Sequence, residues 1–457
     1  MGTNVDLDRM LGDPRKAILS MTLPLIVSYL VVQVNLFADT AWCSLLGSDA
    51  SSAISTICPI YSILTGVGIG LGIGASTSIA RCLGRDEHAH ANSLAAQTVF
   101  VSAIIAVVLT PIAFLCIDPT VGWMGADSIK GLCHEYMAPL TLGTISLVMN
   151  GVVSGLLRAE GAAGKSTLVL LTSAILNMIL DPLLIFVLDM GLSGAGWATT
   201  VSMTVSTVFG LSWYVRNRMY VTISFKGFRM NTGEIRDILS VGVPRSMELF
   251  LIYFMSMVQR VLIIDCGGEI GVALYNIPWM FVTISQVMSQ SIGSAMIPVC
   301  SAALGAGDTR KAEDGFRYSI IMTLGSMTLL AAIIFLAAGY LVIPFTMSPS
   351  MEAIRPDFEH VMRIYALLIP FVGLIDISSS ILQSIRLAQV SMISSFIRNI
   401  ILIAMMWFAG GTGMEAIYWS IFIAEVIGGL MMYGLSRIGY RTVRMKSVRE
   451  GSGMGNA

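Results

Sequence analysis

An all-α integral membrane fold, with twelve transmembrane helices in two six-helix bundles related by a pseudo-two-fold axis, is predicted by three observations. Composition is the first: 55% of the 457 residues are hydrophobic and 12% are charged, about half the charged share of a soluble domain. The second is that apolar runs of bilayer-spanning length recur along the chain with short breaks. The third is an internal repeat. Pro24 begins the first run and Pro244 the seventh, 220 residues apart (244 − 24). Leu83-Gly84-Arg85-Asp86 after the second run is echoed by Leu304-Gly305-Ala306-Gly307-Asp308 after the eighth, and Leu156-Leu157-Arg158 by Ile381-Leu382-Gln383. Six spans followed by six more, starting from the same side, make parallel repeats with a cavity suited to alternating access.

The expected spans of the first half are 17–42, 52–80, 92–117, 132–157, 166–188 and 194–215. Those of the second half are 236–264, 270–303, 317–345, 359–384, 390–409 and 414–436. Several exceed the ~20 residues needed to cross a bilayer, so tilt or extension into water is expected. The division is an amino-terminal lobe at 1–215, a linker at 216–235, a carboxyl-terminal lobe at 236–440 and a tail at 441–457. Basic residues set the orientation. Arg9, Arg15 and Lys16 precede the first span, Arg81 and Arg85 follow the second, and Arg158 and Lys165 follow the fourth. Arg216, Arg218, Lys226, Arg229 and Arg236 fill the linker, while the opposite loops hold little beyond Lys130 and Arg355. The positive-inside rule then puts both termini in the cytoplasm, for a multi-pass protein of the plasma (inner) membrane. No cleavable leader separates from the first span, since Lys16 runs straight into it without a small-residue cleavage site.

Composition also excludes function classes. A net charge of −1 gives no reason to expect nucleic acid as a partner. The seven cysteines form no CxxC pair and read as small core residues rather than a disulfide framework or a zinc site. His88 and His90 read as surface residues of one loop, with His134 and His360 near helix ends on the other side. No GxxxxGK[ST] loop is present, which argues against ATP hydrolysis. The alternating Gly66, Gly68, Gly70, Gly72 and Gly74 have no preceding strand, so they read as close helix packing rather than a nucleotide loop. No soluble-enzyme constellation stands out, and no cofactor is expected.

Two acidic residues carry the chemistry. Asp39 is the sole formal charge between Leu23 and Leu46, and a carboxylate at that depth costs about 2.5–3.5 kcal/mol on insertion scales. Such a group is retained when it faces a polar cavity and binds a cation or a proton. The fifth span holds Asn177 and Asp181, which an i, i+4 spacing stacks on one helical face, followed by Pro182. The proline cannot donate to the carbonyl of Met178, so that oxygen is freed in the same turn. Carboxylate, amide oxygen and loose carbonyl suit a hard monovalent cation or a proton relay. Intramembrane amides at Gln33, Asn35, Asn150, Gln259, Gln286 and Gln290 are candidate substrate-facing groups. Tyr253, Tyr275 and Trp279 are aromatic candidates for stacking on a cationic ligand.

At these residues the chain resembles a known family, the multidrug and toxic compound extrusion (MATE) transporters of prokaryotic type. The matching stretches are LPLIVSYLVVQVNLFADTAWCSLLG, LLRAEG, NMILDPLLIF, GLSGAGWATT and LGAGDTRKAED, in that order. The resemblance implies an amino-lobe cation site at Asp39, Asn177, Asp181 and Thr199, holding Na⁺ or H⁺. It implies a helix bend at Pro24, fifteen residues before Asp39, and matches Asp376 to an acidic position of the tenth span. Where some members carry a glutamate in the seventh span this chain has Ile252, with Glu248 one turn away. Asp376 and Glu248 are therefore the carboxyl-lobe candidates, and Glu248 is expected to pair with Arg245 or Arg398. The function that follows is a monomeric Na⁺- or H⁺-coupled antiporter exporting amphipathic, cationic organic compounds. The alternatives are a flippase for a lipid-linked precursor, which needs several basic residues lining its cavity, and, from another class, a polytopic membrane enzyme or a channel.

Overall fold

The computed structural model describes residues 5–347 and 349–453, and every regular element among them is helical. The chain runs α1 (Val5–Leu11), α2 (Pro14–Ser44), α3 (Ser48–Gly84), α4 (His88–Leu115), α5 (Ile117–Trp123), α6 (Lys130–Leu142), α7 (Thr144–Ala159), α8 (Ala163–Pro182) and α9 (Gly191–Val215). It continues through α10 (Thr232–Gly305), α11 (Thr309–Leu341), α12 (Pro349–Glu352), α13 (Arg355–Ser384), α14 (Ala388–Gly410) and α15 (Met414–Gly453). Of the expected tail, 441–453 continues α15 and 454–457 lies outside the described residues.

Ten of the described helices are long and apolar enough to cross a membrane when α10 is divided at Gly268. There φ is 56° and ψ −152°, a conformation outside the helical region that glycine adopts readily. An eleventh span is bent. The expected helix 132–157 is two, α6 and α7, meeting at 53° across Gly143. The twelfth, α9, is 25 residues long but rich in Gly, Ser and Thr, which face inward: Gly194, Thr199, Thr200, Ser202, Ser206, Thr207 and Gly210 are buried. A span that buries its small polar face in the protein need not be as apolar as one bathed in lipid. The outward surfaces are apolar, as at Leu23, Val27, Val107, Leu115, Ile179, Leu329 and Leu336.

The chain folds as two compact units, Met1–Phe250 with Ile297–Ala312, and Leu251–Met296 with Glu313–Ala457. In the first unit the alternating glycines of α3 face two helices in turn. A Cβ on Gly68 would lie 2.5 Å from the carbonyl oxygen of Val148, and one on Gly72 would reach the backbone of Gly151 in α7. On the other side a Cβ on Gly70 would meet the Gly242 carbonyl at 2.6 Å, and one on Gly74 the Gly242 nitrogen at 3.0 Å, both in α10. The stripe is thus a packing surface against two neighbours. The repeat-related glycines serve alike: Gly84 packs on the backbone of Ala302, and Gly305 on that of Arg81.

After α7 the Glu160 carboxylate, 2% exposed, accepts from the Tyr214 hydroxyl at 3.0 Å and from the Tyr220 and Val221 amides at 2.7 and 3.0 Å. It ties the end of α9 and the following segment to the α7–α8 turn. Burial pushes its carboxyl up to about 7. The second unit buries an aromatic cluster in which Tyr275 stacks on Trp279 at 5.6 Å and both meet Tyr365 edge-on. It also buries an ion pair, with Arg398 Nη1 donating to both oxygens of Glu425 at 2.7 and 2.8 Å.

Candidate functional site

Asn35, Asp39 and Cys43 follow one another at four-residue intervals and so share a face of α2. That face looks onto α8 and α9. Asn35 Nδ2 donates to Asn177 Oδ1 at 2.8 Å, and Asn177 Nδ2 donates to Asp181 Oδ1 at 3.0 Å and to Thr199 Oγ1 at 3.5 Å. Asn177 is the hub that joins three helices. Cys43, 1% exposed in the core of the first unit, directs its thiol toward Asp39 Oδ1 at 3.9 Å. Asp39 and Asp181 are near enough for their charges to interact. Of the residues expected to form the cation site, Asn177, Asp181 and Thr199 are directly bonded, and Asp39 stands beside them.

The cluster has unused acceptor capacity. Asp181 is fully buried, yet its Oδ2 has no hydrogen-bond partner, and neither has Asn35 Oδ1. A buried acceptor without a donor costs about 1–3 kcal/mol unless something fills the role. The backbone turns here as well. Just past Asp181 the chain passes through Pro182 into a π-helical turn, Leu183–Val187, and the expected span 166–188 continues through it as one helix, Ala163–Val187. Such turns form where the i→i−4 ladder is interrupted and are frequent at functional sites. Pro24, by contrast, lies inside a helix that continues unbroken from Pro14 to Ser44.

The twelve-helix all-α fold that carries this polar cluster is matched by the comparisons with known proteins. The model of the MatE family matches residues 24–183 and 244–408. The chain belongs to the MATE family of transporters. The two matches begin at Pro24 and Pro244, the residues that mark the internal repeat. The chain is 22% identical over 418 residues to the multidrug export protein MepA of Staphylococcus aureus (strain bovine RF122 / ET3-1), covering 91% of this chain and 92% of that one. The MepA protein of Staphylococcus saprophyticus is equally similar. Among solved structures, a MATE transporter in complex with MaL6 superposes with a TM-score of 0.92 at 27% identity, covering 96% of this chain and 99% of that one. A transporter of the larger MOP superfamily from Pyrococcus furiosus, described as having a binding pocket of reversed polarity, gives 0.91 at 27% identity over 96% and 98%. These relatives are transporters, a non-enzymatic class, and the chain is a multi-pass membrane protein.

The other site residues fare differently. Asp376 accepts from Ser289 Oγ at 2.6 Å in the second unit. Glu248, the other carboxyl-lobe candidate, falls within the compact unit Met1–Phe250 with Ile297–Ala312, where it is 2% exposed and takes a bond from Arg245 Nη1 at 2.9 Å. Of its two expected partners Arg245 is the one found, since Arg398 is engaged by Glu425. Two amides expected to face substrate have hydrogen-bond partners within the protein. Asn150 donates to Ser206 Oγ at 2.6 Å in the first unit, and Gln259 accepts from the Tyr275 hydroxyl at 3.2 Å in the second. Buried amides are held by such partners because the alternative is an unsatisfied polar group. Trp279 has one face covered by Tyr275. Gln33 and Gln286 are half-buried and Tyr253 is exposed. Cys43 as a neighbour of Asp39 escaped the sequence reading; its i+4 spacing was the available signal. His88 and His90 lie at the surface as expected, with His88 bonding the Tyr220 hydroxyl at 2.8 Å and His90 lying 3.3 Å from Glu87.

Proposed function

We propose that this MATE transporter exports amphipathic organic compounds, organic cations among them, in exchange for Na⁺ or H⁺ that binds at Asp39, Asn177, Asp181 and Thr199. The observation that carries the reading is the pair of carboxylates at one buried cluster whose Asp181 Oδ2 and Asn35 Oδ1 lack donors. Two neighbouring carboxylates in a poorly solvated place repel unless a proton or a cation stands between them. The cluster joins α2 to α8 and α9, so occupancy changes how firmly these helices are tied. A ligand shifts a conformational equilibrium only through its different affinity for the two states. The coupling ion does this by neutralising the carboxylates in one helix arrangement and leaving their repulsion to favour the other. Asn35 belongs to the site as the donor that fixes the Asn177 amide.

The multidrug export relatives support the substrate class. The six-plus-six lobes joined by a basic linker, a monomeric state, and both termini on the cytoplasmic face complete the proposal. The bend at Pro24 is proposed as a change between ion-loaded and ion-free states, and MATE structures solved in straight and bent conformations lend it support. The test is export of a fluorescent organic cation from proteoliposomes, with a sodium gradient and then a pH gradient imposed alone. Export driven by either gradient is expected. Export that proceeds equally with no ion gradient would remove antiport.

A further inference from the structure

The α3–α4 turn gathers three metal-ligating side chains that the transport cycle does not use. Cys82 Sγ, a Glu87 carboxylate oxygen and a His90 ring nitrogen all lie within 4.8 Å of one another. Cys82 Sγ is 3.7 Å from His90 Nδ1, and Glu87 Oε2 is 3.3 Å from the same nitrogen. A tetrahedral zinc ion, with bonds of about 2.3 Å to sulfur and about 2.0–2.1 Å to nitrogen and oxygen, separates S from N by about 3.6 Å and N from O by about 3.3 Å. Two of the three ligand separations already stand at those values.

The backbone holds this arrangement. Asp86 sits at φ +63° and lets the turn close, with the Glu87 amide donating to the Cys82 carbonyl at 3.0 Å. The Glu87 backbone is thereby held against Cys82, and His90 follows in the first turn of α4. Behind the imidazole stands a further carboxylate. Glu234 Oε1, from the start of α10, is 3.7 Å from His90 Nε2. It is oriented by Asn231 Nδ2, which donates to it at 3.1 Å, while Ser93 Oγ donates to the other oxygen at 2.6 Å. A carboxylate on the far nitrogen is the usual companion of a metal-bound histidine, because it sets the tautomer and orients the ring. The Cys-x4-Glu-x2-His spacing is not a CxxC or HxxxH pattern, which is why the cysteines read as core residues in the sequence.

We propose that Cys82, Glu87 and His90 form a site for one borderline divalent ion of the zinc type, with water as fourth ligand and Glu234 orienting His90. Thiolate and carboxylate together neutralise the ion's charge. The ion ties the end of α3 to the start of α4 and, through Glu234, to α10. The site is separate from the Asp39–Asp181 cluster and stands whatever ion drives transport.

The test uses the full chain in detergent, freed of metal by chelation and titrated with Co²⁺ alone. One cobalt per chain is expected, with a thiolate-to-metal charge-transfer band, displaced by Zn²⁺. Cys82→Ser loses the band, while Cys58→Ser with Cys116→Ser, at the two exposed cysteines, keeps it. Glu234→Gln weakens binding about 10- to 100-fold while leaving the band in place. No band in the native chain, or a band that survives Cys82→Ser, overturns the site. Should Cys82→Ser not fold, alkylation of Cys82 in the native chain decides: Zn²⁺ is expected to slow it at least tenfold, and an unchanged rate overturns the site.

Discussion

Glu160 makes the segment after α9 sensitive to pH. Its carboxyl, with an ordinary value of 4.5, is pushed up to about 7 by burial. Between those values the folded protein keeps a proton that the opened segment releases, so stability falls as pH rises. The contribution is fully present below about pH 4.5 and is lost as pH rises through about 7. With 1.36 kcal/mol per pKa unit, the loss between pH 5 and pH 8 is about 2.5 kcal/mol, or roughly seventyfold in the opening equilibrium. Hydrogen exchange across residues 214–222, corrected for the intrinsic pH dependence of exchange, reads this directly. Protection is expected to fall by about that factor in the native chain. Glu160→Gln keeps an oxygen acceptor for the Tyr220 and Val221 amides but cannot ionise, so its protection should change little with pH. Pressure on the reasoning comes from two results: native protection that is flat between pH 5 and 8, or a Glu160→Gln profile that still slopes.

Three further outcomes follow from packing and charge. Gly68→Leu drives side-chain atoms into the Val148 backbone, so it should cost at least about 1–3 kcal/mol; the melting midpoint in detergent checks this, and an unchanged midpoint contradicts the α3–α7 contact. Arg398→Met strands the buried Glu425 carboxylate and is expected to destabilise by about 3–5 kcal/mol, whereas Arg398→Met with Glu425→Leu recovers most of it. Recovery is read in the same melt, and a double variant as weak as the single one speaks against the pair. Asn35→Ala removes the donor to Asn177 and should weaken ion-driven export with little change in melting midpoint, because Asn35 is only half-buried.

What was legible in the sequence is what hydropathy, small residues and charge encode locally. The span limits agree with the helices to within a few residues for most of the chain, and the stripe from Gly66 to Gly74 announced close packing before any neighbour was known. The departures have physical causes. At the Gly143 break a Cβ would meet Thr200 of α9 at under 3 Å, so the residue is held to glycine by a tertiary contact that no local pattern reveals. The π turn after Pro182 depends on how the freed carbonyls are re-satisfied. In the site, Asn177 and Asp181 were visible as an i, i+4 pair. Asn35 as the bridge was not, since any of several intramembrane amides fits a sequence description equally well. Glu425 as the partner of Arg398, and Glu248 as a resident of the first unit, rest on contacts between residues distant in the chain. The same holds for Glu234 behind His90.

The central claim is that the two carboxylates of the α2–α8–α9 cluster bind the ion that drives export. Gradient-driven export by Asp39→Asn and Asp181→Asn in proteoliposomes, with substrate binding to each purified variant measured alongside, tests it most directly. Both variants should bind substrate and retain the native melt yet lose gradient-driven export. Either variant exporting at the native rate under an imposed ion gradient would contradict the claim.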